Sequence, residues 1–363
     1  VHQPSAPSTD QQLRTALAAQ LDGLPPRQAT TAVERLIAHY RGDTPTHTPV
    51  LRDRADVVAY AAYRMPATFA AVAAALAALA RRLPGWAPAS HLDLGGGTGA
   101  AAWAAELTWG DPPPAGAVRQ PATAEPGRTG GQPARTTTVL DWAEPALELG
   151  RELVDRSAAP ALRDTLWRPG RLPGPRPDAV PDTFDLVTVS YVLGELTPED
   201  RAALVADAAR TGRVVVLVEP GTPDGYLRVR EARDALVRAG LRVLAPCPHS
   251  ARCPITPGED WCHFSERVSR SSLHRQVKGG SLAYEDEKFS YVAAARPRVG
   301  GVAATTRIVR KPQLRKGQVL LDLCGEDDGL SRSTVSKRRG ADYRAARAAR
   351  WGDSWPPEPE PEP

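Results

Sequence analysis

Lysine is nearly missing from this chain: of 46 basic residues in 363, five are lysines, at 278, 288, 311, 316 and 337. The arginine bias elsewhere matches GC-rich codon usage and by itself says nothing of a polyanionic partner. No apolar run reaches the roughly 18 residues a membrane span needs. The longest, residues 69–80, is alanine-rich and stops at Arg81-Arg82, which predicts a helix of a soluble protein and no membrane partner. A basic region followed by a leucine-rich stretch is absent from the N-terminus, so no signal peptide is visible and a cytoplasmic location is expected. Four cysteines are too few for a disulfide framework at this length, but enough for one metal centre. The 36 prolines and 30 glycines fall short of low complexity, and 42% hydrophobic residues exclude wholesale disorder. The length allows two or three domains with an ample core.

Charge is unevenly placed. Residues 265–350 carry 19 Lys+Arg against 9 Asp+Glu, whereas residues 1–264 are close to neutral and the tail from 351 holds only acids. A near-neutral body therefore carries a basic C-terminal segment, the footprint of polyanion binding through counterion release.

Residues 1–88 predict an N-terminal helical region, with apolar positions three and four apart over 11–24, 28–41 and 53–83. Residues 89–245 alternate strand and helix: strands over 91–94, 138–141, 184–190, 213–218 and 242–244, helices over 100–108, 144–156, 198–210 and 226–239. That alternation requires a mostly parallel sheet covered on both faces. A Pro/Gly/Ala/Thr-rich stretch at 110–136 predicts a disordered insert, and 168–181 a second irregular loop. Residues 246–295 form a cysteine-rich loop and a closing strand at 289–294. Residues 296–352 form a basic β-rich module with strands at 306–309 and 319–323 and a helix over 343–350, and 353–363 a disordered tail.

The sharpest local pattern in the first half is Asp93-Leu94-Gly95-Gly96-Gly97-Thr98-Gly99, a strand running through glycines into a helix. Glycines there let a ligand approach the backbone with a helix N-terminus facing it. Gly95, Gly97 and Ala100 also satisfy the relaxed dinucleotide pattern G-x-G-x-x-G/A. Two carboxylates favour S-adenosylmethionine (SAM): Asp93, before the glycines, suits a positively charged amino group, and Asp141, ending the next strand, suits a pair of ribose hydroxyls. With these residues the stretch resembles class I methyltransferases: LDLGGGTG is similar to their first motif, VLDW to their second, and FDLVTVSYVLGEL and VVLVEPG to later strands of the same sheet. The residues after the fourth strand, Ser190-Tyr191-Val192-Leu193-Gly194-Glu195, lack the Asn/Asp-Pro-Pro-aromatic signature of base-nitrogen methylation. No residue is assigned a catalytic role.

Cys247, Cys253 and Cys262 lie within sixteen residues, and Cys324 follows a strand-like VLLDL. These gaps are wider than the C-x2–4-C pairs of structural zinc sites. Four soft thiolates from an irregular loop and a distant strand end suit an iron–sulfur cluster. Zinc, with His249 or His263 as substitute ligands, stays open, as do four unrelated buried thiols.

The strings CPHSARCP…DWCHF, KFSYVAAAR, RIVRKPQLRKGQVLLDLCG and SKRRGADYRAARAARWGD, with YAAYRMPAT upstream, resemble the methyltransferase-like proteins of the small ribosomal subunit, which are mitochondrial assembly factors with bacterial relatives. The likeness spans roughly residues 50–355. It implies an α/β fold, a Rossmann-like class I methyltransferase sheet with N-terminal helices, a cysteine-rich metal loop and a small basic β-rich module. It further implies a protein that docks on small-subunit rRNA, binds SAM and carries a 4Fe-4S cluster. The cluster ligands would be Cys247, Cys253, Cys262 and Cys324, and the cofactor residues Asp93, Gly95, Gly97, Gly99 and Asp141. Arg307, Arg310, Lys311, Arg315, Lys316, Lys337, Arg338 and Arg339 are the expected phosphate contacts, with Tyr343 and Trp351 as stacking faces. A monomer off the ribosome is expected. The alternatives are an rRNA methyltransferase proper against a catalytically silent factor, a SAM-dependent small-molecule methyltransferase, and a zinc-stapled RNA-binding module without catalysis.

Overall fold

A computed structural model of the chain describes residues 7–22, 30–34, 54–110, 135–177, 180–270, 282–325 and 329–357. Residues 111–134 of the expected insert at 110–136, most of the expected helix at 28–41 and most of the tail lie outside the described residues, while Thr136 already belongs to a strand.

Twelve strands form two sheets among the described residues. The large sheet contains β1 (Ser90–Leu94), β2 (Thr136–Asp141), β3 (Leu166–Pro169), β4 (Phe184–Ser190), β5 (Gly212–Pro220), β6 (Arg242–Ala245), β7 (Phe264–Ser269) and β8 (Tyr284–Ala295), in the order β3-β2-β1-β4-β5-β8-β6 with β7 also on β8. The first five of that order run parallel, and β8 inserts antiparallel between β5 and β6. Strands such as Leu186–Val189 and Val214–Val218 are apolar along nearly their whole length because both sheet faces are covered. This is the mostly parallel α/β sheet expected from the alternation, Rossmann-like as the resemblance implied, and made mixed by the antiparallel strands at one edge. Because β1 pairs with both β2 and β4, chain order reverses there, and the crevice beyond the carboxyl ends of β1 and β4 is where open α/β sheets hold ligands.

One face carries the helices Arg54–Arg82, Ala100–Trp109 and Glu144–Val154, whose buried residues join Val139, Leu186, Val216 and Tyr291 in one core. The helices Pro198–Thr211 and Pro223–Arg238 cover the other face. The helix Arg54–Arg82 has the length and composition to cross a bilayer, yet its apolar residues are spent inside the protein. Leu13, Ala16 and Leu17 of the helix Thr9–Leu21 join the same core.

The second sheet contains β9 (Thr306–Ile308), β10 (Gln313–Arg315), β11 (Gln318–Gly325) and β12 (Gly329–Ser336), with β9, β10 and β12 all antiparallel to β11. It has a small core of its own, Ile308, Val319, Leu321, Leu323, Val335, Ala346 and Trp355, closed by the helix Ala341–Ala348. Few bonds tie it to the body: Arg307 donates to the Tyr291 hydroxyl of β8 at 2.6 Å, Arg82 to Ser354 at 3.2 Å, and Arg310 pairs with Asp260 and donates to the Trp261 carbonyl at 3.1 Å.

Candidate functional site

The glycine loop joins the end of β1 to the helix Ala100–Trp109. Gly95, Gly97 and Gly99 all have positive φ, between +52° and +84°. A Cβ on Gly95 would stand 2.4 Å from a methyl of Val192, and one on Gly99 2.6 Å from the Trp167 ring. Gly99→Ala therefore adds a ring clash to a left-handed backbone, and is expected to destabilise the protein by about 2 kcal/mol or more; a thermal melt matching wild type would contradict this.

Both expected carboxylates reach the loop. Asp141 accepts the Gly97 amide and the Ala143 amide, each at 2.8 Å, so its oxygens clasp the backbone of the turn. Burial raises its pKa, and those amide bonds oppose the rise. Asp93 is fully buried; its Oδ1 accepts from the Thr188 hydroxyl at 2.7 Å, while Oδ2 has no partner and lies 2.3 Å from where a Gly96 Cβ would be. Burial, with a smaller contribution from Asp141, pushes the Asp93 carboxyl up to about 7 against the Thr188 bond. An ammonium at Oδ2 would supply both the missing hydrogen bond and an opposite charge.

Sequence reasoning missed the residues beyond the end of β4. Tyr191 adopts φ +61°, an uncommon conformation for a residue with a side chain, and such strain is held where the surroundings over-determine it. Its amide donates to Val218 at 2.8 Å and its hydroxyl to Glu287 at 2.9 Å. Arg64 pairs with the same Glu287 oxygen at 3.2 Å and lies 5.7 Å from the Tyr191 ring centre. Burial, helped by the neighbouring Glu287, raises the tyrosine hydroxyl well above its ordinary range. Met65, next along the helix, accepts from Thr98 of the glycine loop at 3.2 Å. Buried Glu219 takes the Leu193 amide at 3.0 Å and pairs with Arg228 at 2.7 Å, bracing the turn.

The four cysteines, three from the loop before β7 and the distant Cys324 from β11, line one cavity between the body and the second sheet, together with Tyr226, Arg233, His249, Phe264 and Tyr291. None is disulfide-bonded. Burial raises the thiols of Cys247, Cys262 and Cys324, the last to about 12, so they stay protonated until a cation draws the proton off. Arg233 is buried and held by the carbonyls of His249 and Ala251 at 2.9 and 2.6 Å, and its charge partly offsets the rise at Cys247. Among the described residues, no three His, Cys, Asp or Glu side chains are drawn together closely enough to hold one metal ion. His263 stacks on Trp261 and meets Trp351 edge-on, away from the cavity lining.

The basic residues divide. Arg307 is buried on Tyr291, and Arg310 is half-buried against Asp260 and the Trp261 carbonyl. Lys311, Arg315, Lys316, Lys337, Arg338 and Arg339 are exposed. The Lys337 amide donates to the Gly317 carbonyl at 2.8 Å, which sets the turn carrying Arg315 and Lys316 against Lys337–Arg339 at one end of the second sheet. Arg339 is paired with Asp342 at 2.9 Å. Tyr343 packs on the small core and Trp351 on His263 and Phe264.

The family model described as mitochondrial small ribosomal subunit Rsm22 matches residues 54–124 and 131–356. The human mitochondrial ribosome assembly protein METTL17 is 30% identical over 310 residues, 82% of this chain and 62% of its own length. The mitochondrial ribosome assembly protein RSM22 of Saccharomyces cerevisiae is 24% identical over 179 residues, 32% of this chain and 28% of its own. The chain thus spans about three-fifths of the length of METTL17. Among solved structures, a precorrin-6y C5,15-methyltransferase from Geobacter metallireducens overlaps 61% of this chain and 85% of its own at 13% identity with a TM-score of 0.36, too slight a likeness to bear on fold or activity. The family description and these relatives are mitochondrial, which overturns the cytoplasmic location expected from the first residues; the absence of a recognisable leader in them carried no such information.

Proposed function

Since the chain belongs to the mitochondrial small ribosomal subunit Rsm22 family, we propose that it is a methyltransferase-like factor of small-subunit assembly that binds SAM at the glycine loop, grips rRNA with its second sheet and joins the two through a 4Fe-4S cluster. The relatives METTL17 and RSM22 are ribosome assembly proteins by name, and this gives the reading its setting.

The observation that carries it is the convergence of Cys247, Cys253, Cys262 and Cys324 on a single cavity. One zinc ion holds each thiolate at about 2.3 Å, which brings the sulfurs to roughly 3.8 Å of each other. Four soft thiolates lining one cavity suit a larger inorganic group whose metal atoms reach outward to them. The buried Arg233 offsets the negative charge that four thiolates would bring. In this reading the cluster is a staple, holding the sheet that bears Cys324 against the loop that bears the other three.

At the glycine loop, Asp93 would take the ammonium of SAM and Asp141 would hold both the turn and the ribose. When bound, SAM supplies an electrophilic methyl group on a sulfonium. No side chain of this chain is assigned to accept a proton from a methyl acceptor: Tyr191, the nearest candidate by position, has its hydroxyl engaged with Glu287 and its pKa raised. The domains follow the same division: a helical and SAM-binding body to residue 245, the cysteine loop and closing strand at 246–295, and the basic module at 296–352.

For the RNA surface, the exposed group Arg315, Lys316, Lys337 and Arg338 is the argued contact. Binding to small-subunit particles should weaken linearly on a log–log salt plot. Lys337→Glu with Arg338→Glu should lower the slope by about 1.5–2, at roughly 0.7–0.9 for each phosphate no longer neutralised. Co-sedimentation across a salt series measures this, and an unchanged slope would remove the module from the interface. Anaerobic purification with iron and sulfide analysis tests the staple; one zinc per chain and no sulfide would replace the cluster with a zinc site.

A further inference from the structure

Two polar side chains sit at the centre of the large sheet, where a ligand-free fold would place apolar ones. His91 of β1 and Thr188 of β4 are completely buried between Leu92, Leu94, Val187 and Val189. His91 Nε2 lies 2.8 Å from the Thr188 hydroxyl, which lies 2.7 Å from Asp93 Oδ1. The three form an unbroken chain across two parallel strands, ending at the carboxylate whose other oxygen is unpartnered over Gly96.

A threonine hydroxyl has a single proton to give. When Asp93 is a carboxylate, that proton goes to Oδ1, and His91 must then donate from Nε2–H; its Nδ1 is bare. When Asp93 is protonated at Oδ1, the chain can reverse: Asp93 donates to Thr188, Thr188 to His91 Nε2, and the ring proton moves to Nδ1. Buried Nδ1 has no hydrogen-bond partner, so the reversed chain would bury an N–H without an acceptor. The surroundings therefore favour the direction in which Asp93 Oδ1 accepts, which leaves Oδ2 as the oxygen that carries or releases the carboxyl proton. The other charged groups near the chain are Asp141, which faces Asp93 from β2, and Arg135, whose positive charge together with burial keeps the His91 ring neutral.

We propose that His91 and Thr188 are positioning residues of the cofactor site: they anchor Asp93 by one oxygen, so that the other is presented, fixed and ionised, to the ammonium of an aminoacyl-bearing nucleoside. The inference rests on the SAM reading given above and adds the device that makes the carboxylate selective for a ligand with a free amino group. The buried threonine in the apolar run FDLVTVS and the buried histidine before LDLGGG are thereby accounted for together.

The test is calorimetry at pH 8 with two probes, SAM and 5′-methylthioadenosine, which keeps the nucleoside and lacks the ammonium. Thr188→Val should weaken SAM binding tenfold or more while leaving 5′-methylthioadenosine within about twofold, the loss of one bond to a charged acceptor. Thr188→Ser, which restores the hydroxyl, should recover SAM binding to within about threefold. In wild-type protein labelled with 15N-histidine, the SAM complex should show His91 as the Nε2–H tautomer, its signal assigned by its loss in His91→Gln. If Thr188→Val fails to fold, the serine variant and the wild-type tautomer still decide. SAM binding that is indifferent to Thr188→Val, equal losses for the two probes, or an Nδ1–H tautomer in the complex would overturn the positioning role and leave the SAM site standing. No heat from SAM with the wild-type protein would overturn both.

Discussion

Cys324→Ser is expected to bleach the anaerobically purified protein and to lower its melting temperature by about 10 °C. Cys324 is the single ligand candidate on the second sheet, in β11, while Cys247, Cys253 and Cys262 come from the loop on the body. The second sheet buries a handful of side chains around Val319, Leu321 and Val335, too few for a module of this size to stand well alone. Its direct ties to the body are few: Arg307 to Tyr291, Arg82 to Ser354, and Arg310 to Asp260 and the Trp261 carbonyl, charge-assisted bonds worth about 1.5–3 kcal/mol each at most, with Trp351 packed on His263 and Phe264. A bound cluster would add to that attachment, because metal-binding free energy is folding free energy in such sites. A loss of a few kcal/mol, at about 2–4 °C per kcal/mol for a domain this large, gives the expected shift. Iron and sulfide analysis, the visible spectrum and a melt check it, with proteolysis near residue 296 as a sign of a loosened module. A serine variant that keeps its iron, its colour and its melting temperature would sink the staple.

The fold was legible where the physics is local. HLDL, TTVLD, FDLVTVS and RVVVLV are apolar because parallel strands are buried on both faces, and that pattern survives in sequence. β3, Leu-Trp-Arg-Pro, is a four-residue edge strand with a proline, and β7, Phe-Ser-Glu-Arg-Val-Ser, has only its first and fifth residues buried; neither carries the pattern. That β8 inserts between β5 and β6 follows from packing between segments far apart in the chain, which no local pattern encodes. The glycine loop was legible because positive φ demands glycine at 95, 97 and 99. The Tyr191–Glu287–Arg64 cluster was not, since its members are separated by 96 residues or more and only Tyr191's backbone marks it. Basic residues illustrate the limit of composition: Arg307 and Arg338 count alike in a charge sum, yet one is buried on Tyr291 and the other is exposed.

Asp93→Asn is expected to make the ligand-free protein more stable at pH 8 and to weaken SAM binding thirtyfold or more. The carboxyl is pushed up to about 7, above the 3.8 of an unfolded chain. Between those values the folded state holds a proton that the unfolded state has released, so stability falls as pH rises from about 4 to 7 and stays low above. Asparagine cannot ionise, keeps an acceptor for Thr188 and removes the penalty. The gain over wild type should be near zero at pH 4 and grow through pH 7, with an upper bound of about 4 kcal/mol from the three-unit shift. His91, pushed down to about 3, works in the opposite sense: the unfolded state takes up a proton below pH 6.5 that the folded state does not, so its contribution rises with pH over the same window. The two trends overlap in wild type, and only the difference between wild type and Asp93→Asn, measured by denaturant titration at each pH, isolates the carboxylate. SAM affinity should fall thirtyfold or more, since one partner of a buried charge pair is gone. Stability given up in the empty protein and recovered on ligand binding is the mark of a site kept for function. A difference curve flat between pH 4 and 7, or an asparagine variant that binds SAM within about threefold of wild type, would show that the carboxylate is held for the fold and not for a cation.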